Sequence, residues 1–510
     1  MMRLVWIIPL LTSACAALPD DGTLQCAPDP AHACPQGFEC AGDGRCYRTG
    51  HLPDLVDMGS QSDMVVVQSC ATSADCPAGA PICGAQQACT SCGAVGSSSD
   101  CATNHPTTPL CGPDGACVEC VDNEKCDASH ETCNLSTHSC GPCHQNSDCA
   151  SGICTVATGA CADKANQFYV NNAPTAGCSD GHPGSFTLPF CTVQHGLNQS
   201  AMNGGKPVVV FAGTYPERLT ATPTLIGNND YVAAAVGIGK PLIKPMGPGI
   251  GVEVENSGTL KGFLSLDGFV FDGTGISDGS QVIECVGSTS TVSYSVLALT
   301  LTDSTVENGP ALGLQAENHC TLAADAVIVR SNKGGAILLG QTDFTLTNLL
   351  VTGNGTSTSD FGGVIISSLG EAGKMVIANL TVVGNSEVST GTFPAGLYCA
   401  NTLATFINTV IVGNVGGPSE TNAATCSPTP LAGNAFVGAP GSNEDISTCT
   451  QAQLFVDPTN GDYRPKKGNA PPCALVDQGV SAGAPAHDLV GAPRPQAAGG
   501  AVDIGAYEVP

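Results

Sequence analysis

Two sets of residues in this chain have the types and spacing to do chemistry. The first is three C-x-x-C pairs, Cys89–Cys92, Cys117–Cys120 and Cys140–Cys143. Thiolates at that spacing can share one zinc ion, or exchange disulfides when one thiol is activated. The second is a sparse set of charged side chains between residues 225 and 417. The candidate bases among them are Lys261, Arg330, Lys333 and Lys374, and the candidate acids are Asp267, Asp272, Asp303, Asp325, Asp343 and Asp360. An acid beside a base on one surface is the minimum for proton abstraction or acid–base hydrolysis. Asp272 in FDGTG and Arg330 in VRSN fall at turns, and Asp325 and Lys333 flank Arg330. No spacing unites these four. The catalytic assignment is therefore none, with Arg330, Lys333, Asp325 and Asp272 as the residues to place.

The cysteine count chooses between zinc and disulfides. There are 29, of which 21 lie at or before Cys161 and eight between Cys178 and Cys473. So many thiols do not belong in a reducing compartment. Without Cys15 both groups are even and can pair completely. No βαβ pattern surrounds a C-x-x-C pair, which sets aside a thioredoxin-like role. Residues 17–165 hold too little apolar sequence for a core, so disulfides are expected to hold that region together. Within it, 47–69 reads as a linker, with Pro53 and repeated Asp.

Residues 1–16, MMRLVWIIPLLTSACA, have Arg3 before an apolar run too short to span a bilayer. They read as a signal peptide. Leu11–Cys15 resembles a bacterial lipobox, with Cys15 as the lipidation site, and Ala14-Cys15-Ala16 fits a signal-peptidase site that releases a soluble protein. The expected location is outside the cytoplasm, as an outer-membrane or cell-surface lipoprotein or as a secreted protein. The net charge of -27 argues against nucleic acid and against anionic membrane as partners. Membrane attachment is expected only through an N-terminal lipid, since no apolar span or sorting motif precedes Pro510.

The elements that must position any site are short strands. Asn348–Asn354, Asn379–Asn385 and Asn408–Asn414 read NLLVTGN, NLTVVGN and NTVIVGN, and start 31 and 29 residues apart. Short Val/Ile/Leu runs between Gly/Asn turns at such a period mark a β-solenoid. Asn348, Asn354, Asn379, Asn385, Asn408 and Asn414 are expected to form a structural ladder, each amide bonding its equivalent one rung on. Residues 166–453 are assigned to the solenoid with its N-terminal cap. There Val193, Leu197 and Ala201 share one face of a short helix, and Cys178 and Cys191 bracket a loop. Residues 454–510 are assigned to a C-terminal cap over the last rung, with Cys449 and Cys473 as a staple.

Three resemblances sharpen this. Residues 26–161 resemble the small cysteine-rich repeats of secreted and surface proteins, especially myxobacterial lipoproteins. Phe168–Val170, Pro189–Val193 and Gly213–Glu217 resemble the opening of the pectate-lyase-like superfamily. That implies an all-β, right-handed parallel β-helix behind a disulfide-rich, loop-rich region. Asn460–Arg464, Asp477–Gly479, Asp488–Arg494 and Asp503–Glu508 look like the end of the choice-of-anchor Q family. In that segment Asp477, Asp488, Arg494, Asp503 and Tyr507 are expected to pin and cover the cap, and its aspartates are the place where Ca²⁺ would bind.

The resemblance implies two functions. One is an exported scaffold that binds polysaccharide or another surface protein without catalysis. The other is a polysaccharide lyase or glycoside hydrolase, although the Asn-Thr-Asp, Asp-Asp and Gly-His-Gly signatures of the hydrolases are missing from residues 166–510.

Overall fold

The computed structural model describes residues 70–510 apart from loop stretches, the longest being 222–229, 288–296 and 422–432. Before residue 70 it describes the strand backbones Leu24–Gln25, Phe38–Cys40 and Arg45–Arg48. Arg45–Arg48 lies between the other two and antiparallel to both, so this small sheet reaches into the stretch read as a linker. Cys15, the signal peptide and Lys261 lie outside the described residues. No helix among the described residues is long and apolar enough to cross a membrane.

The chain falls into two compact units, Met1–Val118 and Glu119–Pro510. Four cysteine-rich repeats follow one pattern across them. Their bridges are Cys70–Cys83 with Cys76–Cys89, and Cys92–Cys111 with Cys101–Cys117. The next two are Cys120–Cys133 with Cys126–Cys140, and Cys143–Cys154 with Cys149–Cys161. Each repeat is an interlocked one-to-three, two-to-four pair. Its third and fourth cysteines face each other across a two-stranded hairpin, as Cys83 faces Cys89 and Cys133 faces Cys140. The cysteines of each C-x-x-C therefore belong to consecutive repeats, and their sulfurs are consumed in disulfides rather than left as zinc ligands. The border expected at residue 165 is not a packing border. Ile153 of the fourth repeat is buried with Tyr169 and Val209 of the β-helix.

From Phe168 onward the second unit is a parallel β-helix. Its three sheets, among the described residues, hold nine, ten and seven strands. The first sheet runs from Phe168–Val170 to Thr405–Ile407, the second from Thr214–Tyr215 to Glu444–Asp445, and the third from Leu219–Ala221 to Leu397–Cys399. Strands alternate inward apolar with outward polar residues, as in Gly262–Asp267, Leu297–Thr302 and Cys320–Asp325. Parallel register then stacks like on like. Leu264, Leu299, Leu322, Phe344 and Met375 form one buried column, and Phe271, Val306, Val329, Val351, Val382 and Ile411 another. Cys285 and Cys320 add a disulfide between the third and first sheets, inside the core.

The N-terminal end is closed by the helix Val193–Met202, which Thr192 caps by accepting the His195 N–H. Its buried face is Val193, Gly196, Leu197 and Ser200. Gly196 is required there, because a Cβ would meet Val170 and Val208 at 2.9 Å. Glu217 accepts the free Val193 and Gln194 N–H groups at 2.8 and 2.9 Å, which explains the acid in Gly213–Glu217. Cys178 and Cys191 are bridged across the adjoining loop.

Two asparagine columns run along the stack. Asn332, Asn354, Asn385 and Asn414 point inward between the second and third sheets. Each Nδ2 donates to the next Oδ1, at 2.9, 2.9 and 2.8 Å. Asn348, Asn379 and Asn408, expected in the same ladder, form a separate column between the first and second sheets. Their φ angles are 55°, 57° and 50°, a left-handed turn that asparagine tolerates. Only Asn408 and Asn379 bond each other, at 3.3 Å. The amides of this column serve a different partner, described below.

Candidate functional site

The turn between the first and second sheets gathers the densest charge. Its left-handed residues are Gly268, Asp303 and Ala326 on three rungs, continued by the asparagine column. Asp267 and Asp325 occupy the preceding position of their rungs, in register through Thr302. Three carboxylates, Asp267, Asp303 and Asp325, thus line one edge. Lys240 sits 2.7 Å from the Asp303 carboxylate. Asp325 accepts from Thr347 Oγ1 at 2.5 Å and Asn348 Nδ2 at 2.9 Å. Asn146, from the fourth cysteine-rich repeat, donates to Asp267.

Burial, then the like charge of Asp303, pushes the Asp267 carboxyl up to about 7, against the pull of Asn146 and Lys240. A carboxyl that titrates near neutrality can give or take a proton. The folded-state value lies above the ordinary 3.8, so the folded chain binds this proton more tightly than the unfolded one. The linked stability is complete below about pH 4 and is lost as pH rises through 7. Asp267→Asn, which keeps an acceptor for Asn146, is expected to stabilise the chain at pH 8 by on the order of 1–3 kcal/mol and to change little at pH 4. Denaturant unfolding at both pH values checks this, and an equal effect at both removes the electrostatic explanation.

Asp272, Glu307 and Arg330 share one outward column of the second sheet. Lys244 lies 3.2 Å from Asp272, and Arg330 Nε donates to Glu307 at 2.6 Å. Burial pushes the Asp272 carboxyl up, but bonds from Thr274, Lys244 and Asn308 outweigh it and hold the group below the usual range. Here each base already has its acid. Lys333, three residues on, lines a separate cleft of about 560 Å³ with Pro310, Thr356, Thr358, Asp360 and Phe361. Lys374 pairs with Asp343 at 3.9 Å, just ahead of the adjacent first-sheet strands Met375–Ala378 and Phe344–Thr347. The four candidates Asp325, Asp272, Arg330 and Lys333 are therefore distributed over three surfaces. A fourth surface, on the third sheet, is acidic. Glu253 and Glu284 are paired on adjacent rungs, and burial followed by Glu253, Glu317 and Glu255 pushes the Glu284 carboxyl up.

The C-terminal segment, expected over the last rung, instead lies along the outward face of the second sheet. Asn348 donates to His487 O, Asn379 to Asp503 O and Gly505 O, and Asn408 to Val480 O. Leu350, Val383, Val410 and Val412 are buried against Phe455, Leu475, Leu489 and Ile504, with Tyr507 packed alongside. Cys449 and Cys473 are bridged within the segment.

Arg494 is fully buried and pairs with Glu508 at 2.8 Å. It also donates to Gly505 O at 3.0 Å and to Asn348 Oδ1 at 3.3 Å. Asp488 accepts Val490, Ala492 and Glu508 N–H groups, and Asp503 those of Asp477 and Val509. These N–H donors make Asp488 and Asp503 anchors of the surrounding loops. Asp477 contributes its backbone N–H, not the carboxylate expected of it. Burial pushes Asp503 up to about 6.

Residues missed by sequence reasoning are Lys240, Asn146, Glu307 and Glu508. Glu508 had a signal, as the last letter of Asp503–Glu508. Lys240 and Asn146 had none, because their partners lie 63 and 121 residues away.

Residues 57–167 match a family described as Family of unknown function (DUF8331). No curated protein matches the chain. Among solved structures it is similar to the crystal structure of pectate lyase Pel9A, at 15% identity and a TM-score of 0.38, covering 68% of this chain and 97% of that one.

Proposed function

We propose that this chain is an exported cell-surface protein whose β-helix is a binding or structural scaffold, with a glycan or another surface protein as partner. The observation that carries the reading is the dispersal of charge. Asp272 with Lys244 and Glu307 with Arg330 are closed ion pairs along the second sheet, Asp303 with Lys240 is another at the turn before it, and Lys333 lies in a separate cleft, so the charges do not form one acid–base cluster. Eleven disulfides among the described residues suit an oxidising location outside the cytoplasm. Residues 1–16 supply the export signal, and Cys15 the lipid anchor. The C-terminal segment is of the choice-of-anchor Q kind. The ligand surface we favour is the cleft of Lys333 and Phe361, where a cation, an aromatic ring and hydroxyls converge.

One observation favours a second reading, a polysaccharide lyase or glycoside hydrolase: the Asp267 carboxyl beside Asp303 and Lys240 is poised near neutrality. A panel of acidic and neutral polysaccharides, assayed for binding and for chain cleavage with and without Ca²⁺, separates the two. We expect binding without cleavage, weakened about fivefold or more by Lys333→Ala or Phe361→Ala. Cleavage abolished by Asp267→Asn or Arg330→Ala would establish the enzyme instead.

A further inference from the structure

Among the described residues, the carboxylates of Asp272, Glu387, Asp488, Asp503 and Glu508 are buried. Four of them are held by cations or N–H groups. Glu387 is the exception. It is 3% exposed, and its Oε1 accepts only a long bond from the Phe393 N–H at 3.3 Å. Its Oε2 is buried with no hydrogen-bond partner. No Lys, Arg or His among the described residues forms an ion pair with it. Glu420 Oε2 also lacks a partner, but that residue is only half-buried.

The segment that carries Glu387 supports one wall of the cleft of Lys333 and Phe361. Thr356, Thr358, Ser359, Asp360 and Phe361 line that wall. Ser359 ties it to the opposite side, donating through Oγ to Lys333 O. Ser359 O in turn accepts the Val388 N–H at 2.9 Å. Behind this segment lies the Val415–Gly417 corner. The Glu387 N–H donates to Val415 O at 2.9 Å, and the Gly417 N–H to Val388 O at 3.2 Å. The Glu387 carboxyl lies against the Gly417 backbone, where a Cβ would stand 2.7 Å from Oε2. Val388 is thus bonded to the cleft wall on one side and to the corner on the other, one residue from the buried acid.

A buried carboxyl without a partner costs far less neutral than ionised. Burial pushes Glu387 up, against the pull of the Phe393 N–H, and the charge of Asp360 adds to burial. An ionised Glu387 must reach water, and it does so by leaving the Gly417 backbone. We propose that Glu387 is a pH switch for the cleft: neutral, it seats the Ser386–Val388 segment on the Val415–Gly417 corner, and ionised, it lifts that segment and frees the wall from Val388. The seated carboxyl holds its proton more tightly than the solvated one. Seating is therefore complete below about the ordinary value of 4.5, weakens as pH rises through the raised value and then levels off. The switch rests on the proposed binding role of the cleft only for its effect on a ligand.

The test compares hydrogen exchange in the full, oxidised chain and in Glu387→Gln, its neutral isostere, from about pH 4 to about pH 9. Comparing the two chains at each pH cancels the intrinsic pH dependence of exchange. They are expected to exchange alike near the acid end. As pH rises, the parent should exchange faster at the Ser359, Val388 and Gly417 N–H groups, by about tenfold for each unit by which its carboxyl is raised, and equally in Gly262–Asp267. Asp360→Asn, a change at an exposed residue, removes the repelling charge and should shrink the pH-dependent rise. It carries the test if the Gln variant does not fold, and a rise as large as the parent's then counts against the switch. Parent and Gln variant differing by one constant factor at every pH, or not at all, overturn it. Alginate, an acidic polysaccharide, probes the cleft separately. Its binding to the parent should weaken over the same range and its binding to the Gln variant should not, so a fall shared by both chains overturns the link to the cleft. Alginate bound by neither chain at any pH counts against the cleft as the ligand surface, and the exchange profile alone then decides the switch.

Discussion

A chain that stops at Ser447 is expected to aggregate rather than persist as a soluble monomer. The cut removes the Cys449–Cys473 bridge whole, so no odd thiol is created. It also uncovers the outward side of the second sheet at Leu350, Val383, Val410 and Val412, each of which is at most 4% exposed in the intact chain. Burying one such side chain contributes about 1.5–3 kcal/mol. Together the four approach the ~5–15 kcal/mol by which a whole domain is stable, before the ordering of the lost segment is set against them. The amides of Asn379 and Asn408 would also lose the carbonyls of Asp503, Gly505 and Val480. The product is a flat, apolar, parallel face on a stack of strands, a surface that recruits other chains. Light scattering and size exclusion read the outcome. A monodisperse monomer with the parent's melting temperature would mean that the segment is an ornament and not a wall.

How much of this was legible in the sequence depends on the reach of each signal. The rungs were legible because alternation and the Asn repeat are local. The covered face also left a local trace. Thr381–Val383 and Val410–Val412 are buried along their whole length, where Thr305–Glu307 and Ile328–Arg330 are not. Apolar residues on both sides of a strand mean that both sides are packed, but the same run also reads as an ordinary core strand. The two asparagines of each repeat look alike in sequence. Their different roles come from backbone geometry, since a positive φ turns Asn348, Asn379 and Asn408 away from the core while Asn354, Asn385 and Asn414 face it. Of the disulfides, Cys178–Cys191 and Cys449–Cys473 were legible from their places beside the caps, whereas the pairing within the cysteine-rich repeats was not, because parity fixes a count and not a connectivity. Nor were the charge pairs, because a rung brings together residues far apart in the chain, as with Lys240 and Asp303.

Asn385→Ala should cost about 3–5 kcal/mol, far more than a surface asparagine, because the ladder is directional. Asn385 Oδ1 accepts both the backbone N–H and the Nδ2 of Asn354, at 3.0 and 2.9 Å. Its own Nδ2 donates to Asn414 Oδ1 at 2.8 Å and to Val351 O at 3.1 Å. Alanine leaves the Asn354 N–H buried without an acceptor and opens a void beside it. In a solenoid stability passes between neighbouring rungs, so the damage should stay near the break. Hydrogen exchange is expected to rise in Leu350–Thr352, Thr381–Val383 and Val410–Val412, and to stay unchanged in Gly262–Asp267 and Leu297–Thr302. Asn385→Asp tests the direction of the bonds without changing the shape. Ionised, that side chain has two acceptors and no donor, and it faces the Asn414 oxygen with a buried charge. Protonated, it regains an O–H that can donate to Asn414. The variant should therefore be badly destabilised at pH 7 and recover substantially near pH 4, whereas the alanine variant should gain nothing from acid. If both variants respond to pH alike, the asparagines act by packing and not through an oriented chain of hydrogen bonds.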